Sequence, residues 1–356
     1  MKRSVAASAA LVLMGVFSSG AVARGQGIPR ACSGTQPATV ATGGPIQGLS
    51  VMAVSADRLF VLYDAETRGR RNVGLLILDG VSSGQVQINT VSVGEGTVGR
   101  RSLAVMGTTL VGAYRRADGK VAAFTRSING GAITEVQADA ALTASNAPSV
   151  AAAGRGALIS WEGNQGNLHL WSVTAQGQSA GAARTVNGAG FTGGAESAGA
   201  FGGAVVGVGS GAALSIATAR GARVIAGAPS NASAFSATST GRSLLIGTTS
   251  SAGAQVLMLS SATGRARAVN LGPAESAGHV AVAPTAWGAF ALWPSAGNLS
   301  IRALRNDGRT LGPSFAMGSF RASQRHAFSA TAVGNTVFAF WAEGGNVQML
   351  RINCYS

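Results

Sequence analysis

The sequence predicts an all-β fold in which seven four-stranded antiparallel units form a closed ring. Three observations carry this prediction: tight turns that recur at a regular interval, an apolar strand in every repeat, and one cysteine near each end of the 356-residue chain. Hydrophobic residues make up 46% of the sequence, which suffices for a core despite the 52 glycines. We therefore expect one large folded domain.

Tight turns that contain glycine mark the repeat. Their glycines are 50, 47, 44, 43 and 44 residues apart, a period typical of blades or solenoids. Asp-Gly and Asn-Gly suit hairpins because both central positions of the turn need a positive φ. Six complete units therefore end in these turns: Asp79-Gly80, Asn129-Gly130, Gln176-Gly177, Arg220-Gly221, Thr263-Gly264 and Asp307-Gly308.

A second marker lies at the end of the second strand of each unit. Seven positions carry it: Tyr63, Tyr114, Trp161, Val208, Thr248, Trp293 and Trp341. Several of these strands are apolar on both faces, as expected when a sheet is packed between two neighbouring sheets around an axis. We therefore predict a seven-bladed β-propeller with these blades: Leu49 to Ser92, Ser102 to Val136, Ser149 to Val186, Ser197 to Ile225, Ser233 to Leu271, His279 to Met317, and Phe328 to Cys354.

The last blade has only three strands within its own segment. The unassigned stretch Pro37 to Thr42, near the other end of the chain, supplies the missing fourth strand. Antiparallel pairing would then bring Cys32 beside Cys354, and we predict a disulfide between them. Two unpaired thiols are the alternative.

Repeat length, strand pattern and end-to-end closure together resemble exported bacterial β-propellers over nearly the whole chain. The resemblance is to the fold and to no single family. Asn306-Asp307-Gly308 lacks the tryptophan of the Asp box found in sialidase-like propellers, and Trp161 precedes Glu where a WD repeat has Asp. One propeller fold hosts many functions, so the resemblance implies no particular activity.

The first 23 residues have the layout of a secretory signal. Lys2 and Arg3 precede an apolar run from Val5 to Phe17, and Ala21-Val22-Ala23 fits a cleavage site. The run is too short to span a bilayer, which takes about 20 residues. We expect cleavage after Ala23, a single propeller domain over 24–356 with no transmembrane segment, and a final location in the periplasm or outside the cell.

The charge of the chain is strongly positive, with 27 basic residues against 13 acidic ones. Nearly all of the basic residues are arginines, and such a charge favours polyanions: phosphorylated or carboxylated glycans, lipopolysaccharide or nucleic acid. Codon usage in a GC-rich genome is the alternative cause. No motif for sequence-specific nucleic-acid binding accompanies the charge, so none is expected.

Candidate ligand-binding residues lie on what we call the upper face, where loops join strand two to strand three and one blade to the next. The strand order places ten of them there: Arg68, Arg70, Arg71, Arg100, Arg101, Arg115, Arg116, Arg321, Arg325 and His326. The planar fork of Arg can donate two parallel hydrogen bonds to a carboxylate or phosphate. The alternative is a set of solvated loops balanced by nearby acids such as Asp64 and Glu66.

No catalytic, metal or cofactor site is assigned. The histidines His169, His279 and His326 lack the spacing of a metal motif. An enzyme acting on acidic sugars would need a Tyr nucleophile or paired carboxylates, for which the candidates are Tyr63, Tyr114, Glu162 and Glu343. Both tyrosines occupy the repeat position of Trp161 and Trp341. This shared position favours a role in packing over a role in catalysis.

The sequence thus favours a non-catalytic exported propeller that binds a glycan, an anionic surface polymer or a protein partner through an Arg-rich face. Two alternatives stay open: a sialidase-like glycosidase or lyase acting on acidic sugars, and a structural or assembly protein of the cell envelope.

Overall fold

Antiparallel strands account for almost all regular structure in the computed structural model. It describes residues 29–355 except 139–141, 155, 187–189, 200, 202, 210–212, 219–220, 231, 233, 241–242, 276–278, 308 and 323–326. The predicted signal segment lies outside these residues, as do Arg325 and His326. Within the described ranges, no helix is long and apolar enough to cross a membrane.

Seven blades follow one another along the chain, four strands in each of the first six and five in the seventh, which confirms the predicted propeller. The first is β3 (Leu49–Ala53), β4 (Arg58–Thr67), β5 (Arg70–Asp79) and β6 (Gln87–Thr97). The second is β7 (Leu103–Met106), β8 (Thr109–Arg116), β9 (Val121–Ser127) and β10 (Gly130–Gln137). The third is β11 (Ser149–Ala153), β12 (Gly156–Glu162), β13 (Leu168–Thr174) and β14 (Arg184–Val186), with a 3-10 turn at Asn164–Gly166.

The remaining blades repeat this order from the inner to the outer strand. The fourth is β15 (Phe191–Ala198), β16 (Ala204–Gly209), β17 (Leu214–Thr218) and β18 (Gly221–Val224). The fifth is β19 (Ala234–Thr240), β20 (Ser243–Ser250), β21 (Gly253–Leu259) and β22 (Arg267–Gly272). The sixth is β23 (Ala281–Pro284), β24 (Gly288–Ser295), β25 (Asn298–Arg305) and β26 (Thr310–Ser319).

The seventh blade contains both ends of the described chain. Its strands are β27 (Phe328–Val333), β28 (Thr336–Glu343), β29 (Asn346–Tyr355) and, on the outer side of β29, β1 (Ala31–Gly34) and β2 (Ala38–Thr42). Cys32 lies opposite Cys354 in the ladder, and the two form the predicted disulfide. The sequence predicted β2 but missed β1, which pairs with residues 352–355 of β29.

Aromatic side chains at the second-strand marker fill the space between blades. Trp161, Trp293 and Trp341 are at most 2% exposed, so their repeat position is a packing position. Close packing around Tyr114 requires glycine on the neighbouring blade, because a Cβ at Gly94 would lie 2.4 Å from the Tyr114 hydroxyl oxygen. The small residues of this chain therefore leave room for large ones.

Serine hydroxyls in or beside the inner strands tie neighbouring blades together around the central channel. The backbone N–H of Val51 donates to Ser329 Oγ at 3.3 Å, which links the first blade to the seventh. Ser102 N–H donates to Ser50 Oγ at 3.0 Å in the same way. These bonds satisfy backbone groups that face a narrow channel rather than another strand.

Arginines link blades at the opposite end of the molecule, which we call the lower face and which carries the loops between strands one and two and between strands three and four. The arginines that reach the next blade there are Arg58, Arg223, Arg267 and Arg351. Arg351, for example, donates to the carbonyl oxygens of Val81 and Ser82 at 3.2 and 3.1 Å. Part of the arginine content is therefore structural.

His169 lies in the third blade, with its ring centroid 5.4 Å from that of Trp161. Its Nδ1 is 3.0 Å from Thr185 Oγ1, and burial lowers the pKa of the imidazole below its ordinary value of 6.5. The unfolded chain therefore takes up this proton first as the pH falls. Protonation opposes folding below about pH 6.5, by at most about 1.4 kcal/mol per pH unit.

We expect His169→Gln to reduce the loss of stability between pH 7.5 and about pH 5. Urea unfolding at several pH values, compared with the parent protein, measures the effect. Identical pH dependence in both proteins would contradict a neutral, buried His169.

Candidate ligand site at the upper mouth of the central channel

The loop between the first and second blades, residues 98–102, carries two adjacent arginines into the channel. The backbone of this loop is fixed from both sides: Ser329 Oγ donates to the Arg100 carbonyl at 3.4 Å, and Val150 N–H donates to the Arg101 carbonyl at 2.6 Å. The side chains of Arg100 and Arg101 line the channel at the end where the inner strands begin. They belong to the loop that joins blades at the upper face.

Glu196, on the inner strand of the fourth blade, faces both guanidinium groups across the channel. Its Oε1 is 3.3 Å from Arg100 Nε, and its Oε2 is 3.8 Å from Arg101 Nε. The same Oε2 accepts a hydrogen bond from Ala237 N–H at 2.7 Å. Arg101 Nη2 also donates to the Val282 carbonyl on the sixth blade at 3.0 Å. The mouth of the channel is thus crossed by charged side chains.

Two buried guanidinium groups share this single carboxylate. The side chains of Arg100 and Arg101 are only 9% and 21% exposed, and Arg100 Nη1 is buried without a hydrogen-bond partner within the described residues. Burial lowers the pKa of both arginines, while the charge of Glu196 opposes that shift. A buried positive charge without a counterion is costly, so a bound anion would stabilise this arrangement.

The cavity beside the arginine pair has a volume of about 210 Å³ and is lined by residues from the inner strands of all seven blades. Pockets that enclose a whole drug-sized ligand usually measure about 300–1,000 Å³. The channel therefore suits one acidic group of a larger molecule rather than an entire sugar chain. Small polar side chains such as Thr238 and Ser329 provide hydroxyls along its wall.

Arg71 has a different, structural position. It donates to Asp64 Oδ1 at 2.8 Å, and Asp64, which is fully buried, also accepts the backbone N–H groups of Gln47 and Val98. Glu66 is a second ion-pair partner of Arg71 at 3.1 Å. This network holds the first blade to the loop that precedes it and uses the charge of Arg71 internally.

Most of the other predicted arginines also have partners on the upper face. Arg70 lies 3.2 Å from Glu95, and Arg116 lies 3.5 Å from Asp118 and 3.7 Å from Glu135. The Arg115 side chain donates to the carbonyl of residue 144 at 2.6 Å. Arg68 and Arg321 are exposed. The structure therefore separates the predicted set into a buried pair in the channel and dispersed, mostly paired residues around it.

The residues considered for catalysis are engaged in local contacts. Tyr114 is 2% exposed and its hydroxyl donates to Glu135; burial, and then this carboxylate, raise the pKa of the phenol. A raised pKa opposes use of the phenol as a nucleophile. Glu162 Oε2 accepts hydrogen bonds from Asn146 and from Gly194 N–H, and Glu343 accepts one from Trp341. In the described part of the chain, no three His, Cys, Asp or Glu residues lie together as metal ligands.

Glu196 is the site residue that sequence reasoning missed. It stands in the segment Ala195-Glu196-Ser197, where the flanking residues are small. A lone acidic residue in an inner strand is a usable signal, because that strand borders a narrow channel and a charge there needs a partner.

No protein-family model matches this sequence, and no curated protein matches it. Solved structures do resemble it. The WD40 domain of Toxoplasma gondii coronin is 12% identical with a TM-score of 0.55, over 93% of this chain and 88% of that one. A lectin in complex with alpha methyl fucoside is 12% identical with a TM-score of 0.52, over 78% of this chain and 97% of its own.

A polysaccharide lyase is similar as well, at 10% identity with a TM-score of 0.53, over 87% of this chain and 90% of the lyase chain. These likenesses are too distant in sequence to indicate a shared activity. Together with the strand order, they show that the chain is a β-propeller.

Proposed function

We propose that this protein is a non-catalytic, exported binding protein that holds an acidic group of a glycan, an anionic surface polymer or a protein partner at the upper mouth of its central channel. Export after cleavage behind Ala23 is part of the proposal. The Cys32–Cys354 disulfide supports it, because such bonds persist in oxidising compartments.

One observation carries the proposal: Arg100 and Arg101 face the channel with Glu196 as their only carboxylate among the described residues. A carboxylate or phosphate in the cavity would balance the second guanidinium charge and accept hydrogen bonds from the arginine side chains that line it. The volume of about 210 Å³ limits the bound group to a single acidic substituent.

Sugar binding by the similar lectin is compatible with a glycan as the ligand. The alternative of a glycosidase or lyase on acidic sugars has less support, since Tyr114 is buried with a raised pKa and Glu162 is held by two hydrogen bonds. The remaining alternative is a structural or assembly role in the cell envelope, and pull-down of partners from the envelope fraction would distinguish that role from binding of an acidic group.

Titration calorimetry with glucuronate, N-acetylneuraminate and glucose tests the proposal. We expect the two acidic sugars to bind and glucose not to bind. The variant Arg100→Gln, Arg101→Gln, Glu196→Gln removes all three channel charges together, so that no buried charge is left unpaired. It should bind the acidic sugars at least about tenfold more weakly, the loss expected for one charge-assisted hydrogen-bond pair.

The matched control is Arg68→Gln, Arg70→Gln, Glu95→Gln, which makes the same change in charge at exposed positions of the upper face. Its affinity should stay within about twofold of the parent, as expected for exposed ion pairs. Equal losses in both variants, or equal binding of glucose and glucuronate, would overturn the proposed site.

A further inference from the structure

The lower face of the fourth, fifth and sixth blades is strongly basic. The turns between strands three and four of these blades, and the strand ends beside them, carry five described arginines and one described acid, Asp307. These five arginines form what we call the lower basic patch: Arg223, Arg265, Arg267, Arg305 and Arg309. They lie at the opposite end of the propeller from the Arg100 and Arg101 pair.

Hydrogen bonds between blades make this patch continuous. Arg223, on the fourth blade, donates to the carbonyl of Ala262 and, at 3.1 Å, to that of Gly264, which fixes the loop that carries Arg265. Arg267, on the fifth blade, donates to the Asp307 carbonyl at 3.1 Å. Both bonds leave the guanidinium charges in place, because their acceptors are neutral carbonyl groups.

Asp307 neutralises only a fraction of the charge. Its carboxylate accepts the Arg309 N–H at 3.0 Å and lies 3.7 Å from Arg309 Nε, and its pKa is lowered by that hydrogen bond and by the nearby arginines. The Arg309 side chain is 73% exposed, and Arg265 and Arg305 are exposed as well. The five arginines and Asp307 therefore carry a formal surplus of four positive charges across three blades, and every arginine of the patch except the half-buried Arg223 is exposed.

The side chains around the patch indicate what kind of polyanion fits it. Among the described residues, the large hydrophobic side chains that are exposed are Val224 and Tyr355, and only Val224 lies near the patch. Single-stranded nucleic acid is usually held by exposed aromatic side chains on which bases stack, and a membrane surface by an apolar cluster. Exposed guanidinium groups without either are suited to carboxylate or sulfate groups spaced along a polysaccharide.

We propose that the lower basic patch binds a linear acidic polysaccharide along the rim of the fourth to sixth blades. This second surface goes beyond the channel site, which takes a single acidic group at the other end of the molecule. A propeller with both sites holds a polymer on one face and a separate acidic ligand on the other.

Binding of polygalacturonate, with dextran as the neutral polymer, tests this inference on the full chain at several salt concentrations. The test variant is Arg265→Ser, Arg305→Ser, Arg309→Ser, which spares Arg223 and Arg267 because they connect blades. At low salt, about 50 mM, we expect its Kd for polygalacturonate to rise at least about tenfold and its salt dependence to become shallower. Dextran should not bind to either protein.

The matched control is Arg68→Ser, Arg70→Ser, Arg321→Ser, which removes the same charge from the upper face. A rise in Kd of less than about threefold in this control supports a localised site. If both variants weaken binding equally, binding depends on the net charge of the protein and not on a localised site, and the inference is overturned. Tighter binding of oligothymidylate or of anionic vesicles than of polygalacturonate would also overturn it, in favour of nucleic acid or membrane.

The two proposed sites fail independently. The lower basic patch is supported if the variant of Arg265, Arg305 and Arg309 loses polygalacturonate binding and behaves like the parent protein toward glucuronate. This holds whether or not the parent protein binds glucuronate. A protein that binds glucuronate but not polygalacturonate would overturn the lower patch and leave the channel site standing.

Discussion

Cys354→Ser is expected to lower the free energy of unfolding by about 3–5 kcal/mol, among the largest effects of any single substitution in this chain. The disulfide joins residues 322 positions apart, and the chain-entropy account of cross-links gives about 6 kcal/mol for such a loop, although measured cross-links usually deliver less. Without it, β1 and β2 hold the seventh blade closed through ladder hydrogen bonds and packing alone.

Guanidinium unfolding measures the loss, and hydrogen exchange locates it. Protection should fall first in Ala31–Gly34, Ala38–Thr42 and Asn346–Tyr355, the strands that close the seventh blade. The double variant Cys32→Ser, Cys354→Ser should match the single one, because the second thiol has no other partner within the described residues. Exchange that rises equally in all seven blades would contradict closure of the ring by this bond.

Glu196→Gln is also expected to have a large effect: it should lower the stability of the protein and raise its affinity for glucuronate. It leaves Arg100 and Arg101 buried without a carboxylate, and breaking a buried ion pair in this way typically costs about 3–5 kcal/mol. The same change raises the positive charge of the channel mouth. We therefore expect glucuronate to bind more tightly to this variant than to the parent, although the variant is less stable.

Thermal unfolding and calorimetry of the same preparation measure both effects. Glu275→Gln is the matched control, because Glu275 is an exposed acid on the upper face. This substitution should lower the free energy of unfolding by about 1 kcal/mol or less. Adding Arg100→Gln to the Glu196 variant should restore part of the stability. A Glu196→Gln protein as stable as the Glu275→Gln control would contradict the buried ion cluster.

The architecture could be predicted because its signals recur. A glycine turn such as Asp79-Gly80 is weak evidence alone, but six of them at nearly constant spacing define a repeat. The position of the closing strand followed from Cys32 and Cys354. The strand β1 was missed because Ala31–Gly34 has no apolar alternation and is held in place by the long strand opposite it.

Sequence reasoning placed Arg100 and Arg101 at the correct end of the propeller, because strand order decides where each loop emerges. It could not give the direction of their side chains, because the backbone that carries them is held by Ser329 of the seventh blade and Val150 of the third. The sequence did not predict the lower basic patch, for a related reason. Each blade contributes only one or two of its arginines, and the cluster exists only after the blades are arranged side by side.

At the lower face, the hydrogen bonds that arginines make from one blade to the next end on carbonyl oxygens, and the ion pair of Arg58 with Asp79 lies within the first blade. Neutral acceptors are screened far less by dissolved ions than charged ones are. Added salt should therefore release a bound polymer while the ring stays intact. Attachment and release can then follow the ionic composition of the surroundings, uncoupled from the folding of the protein that carries them.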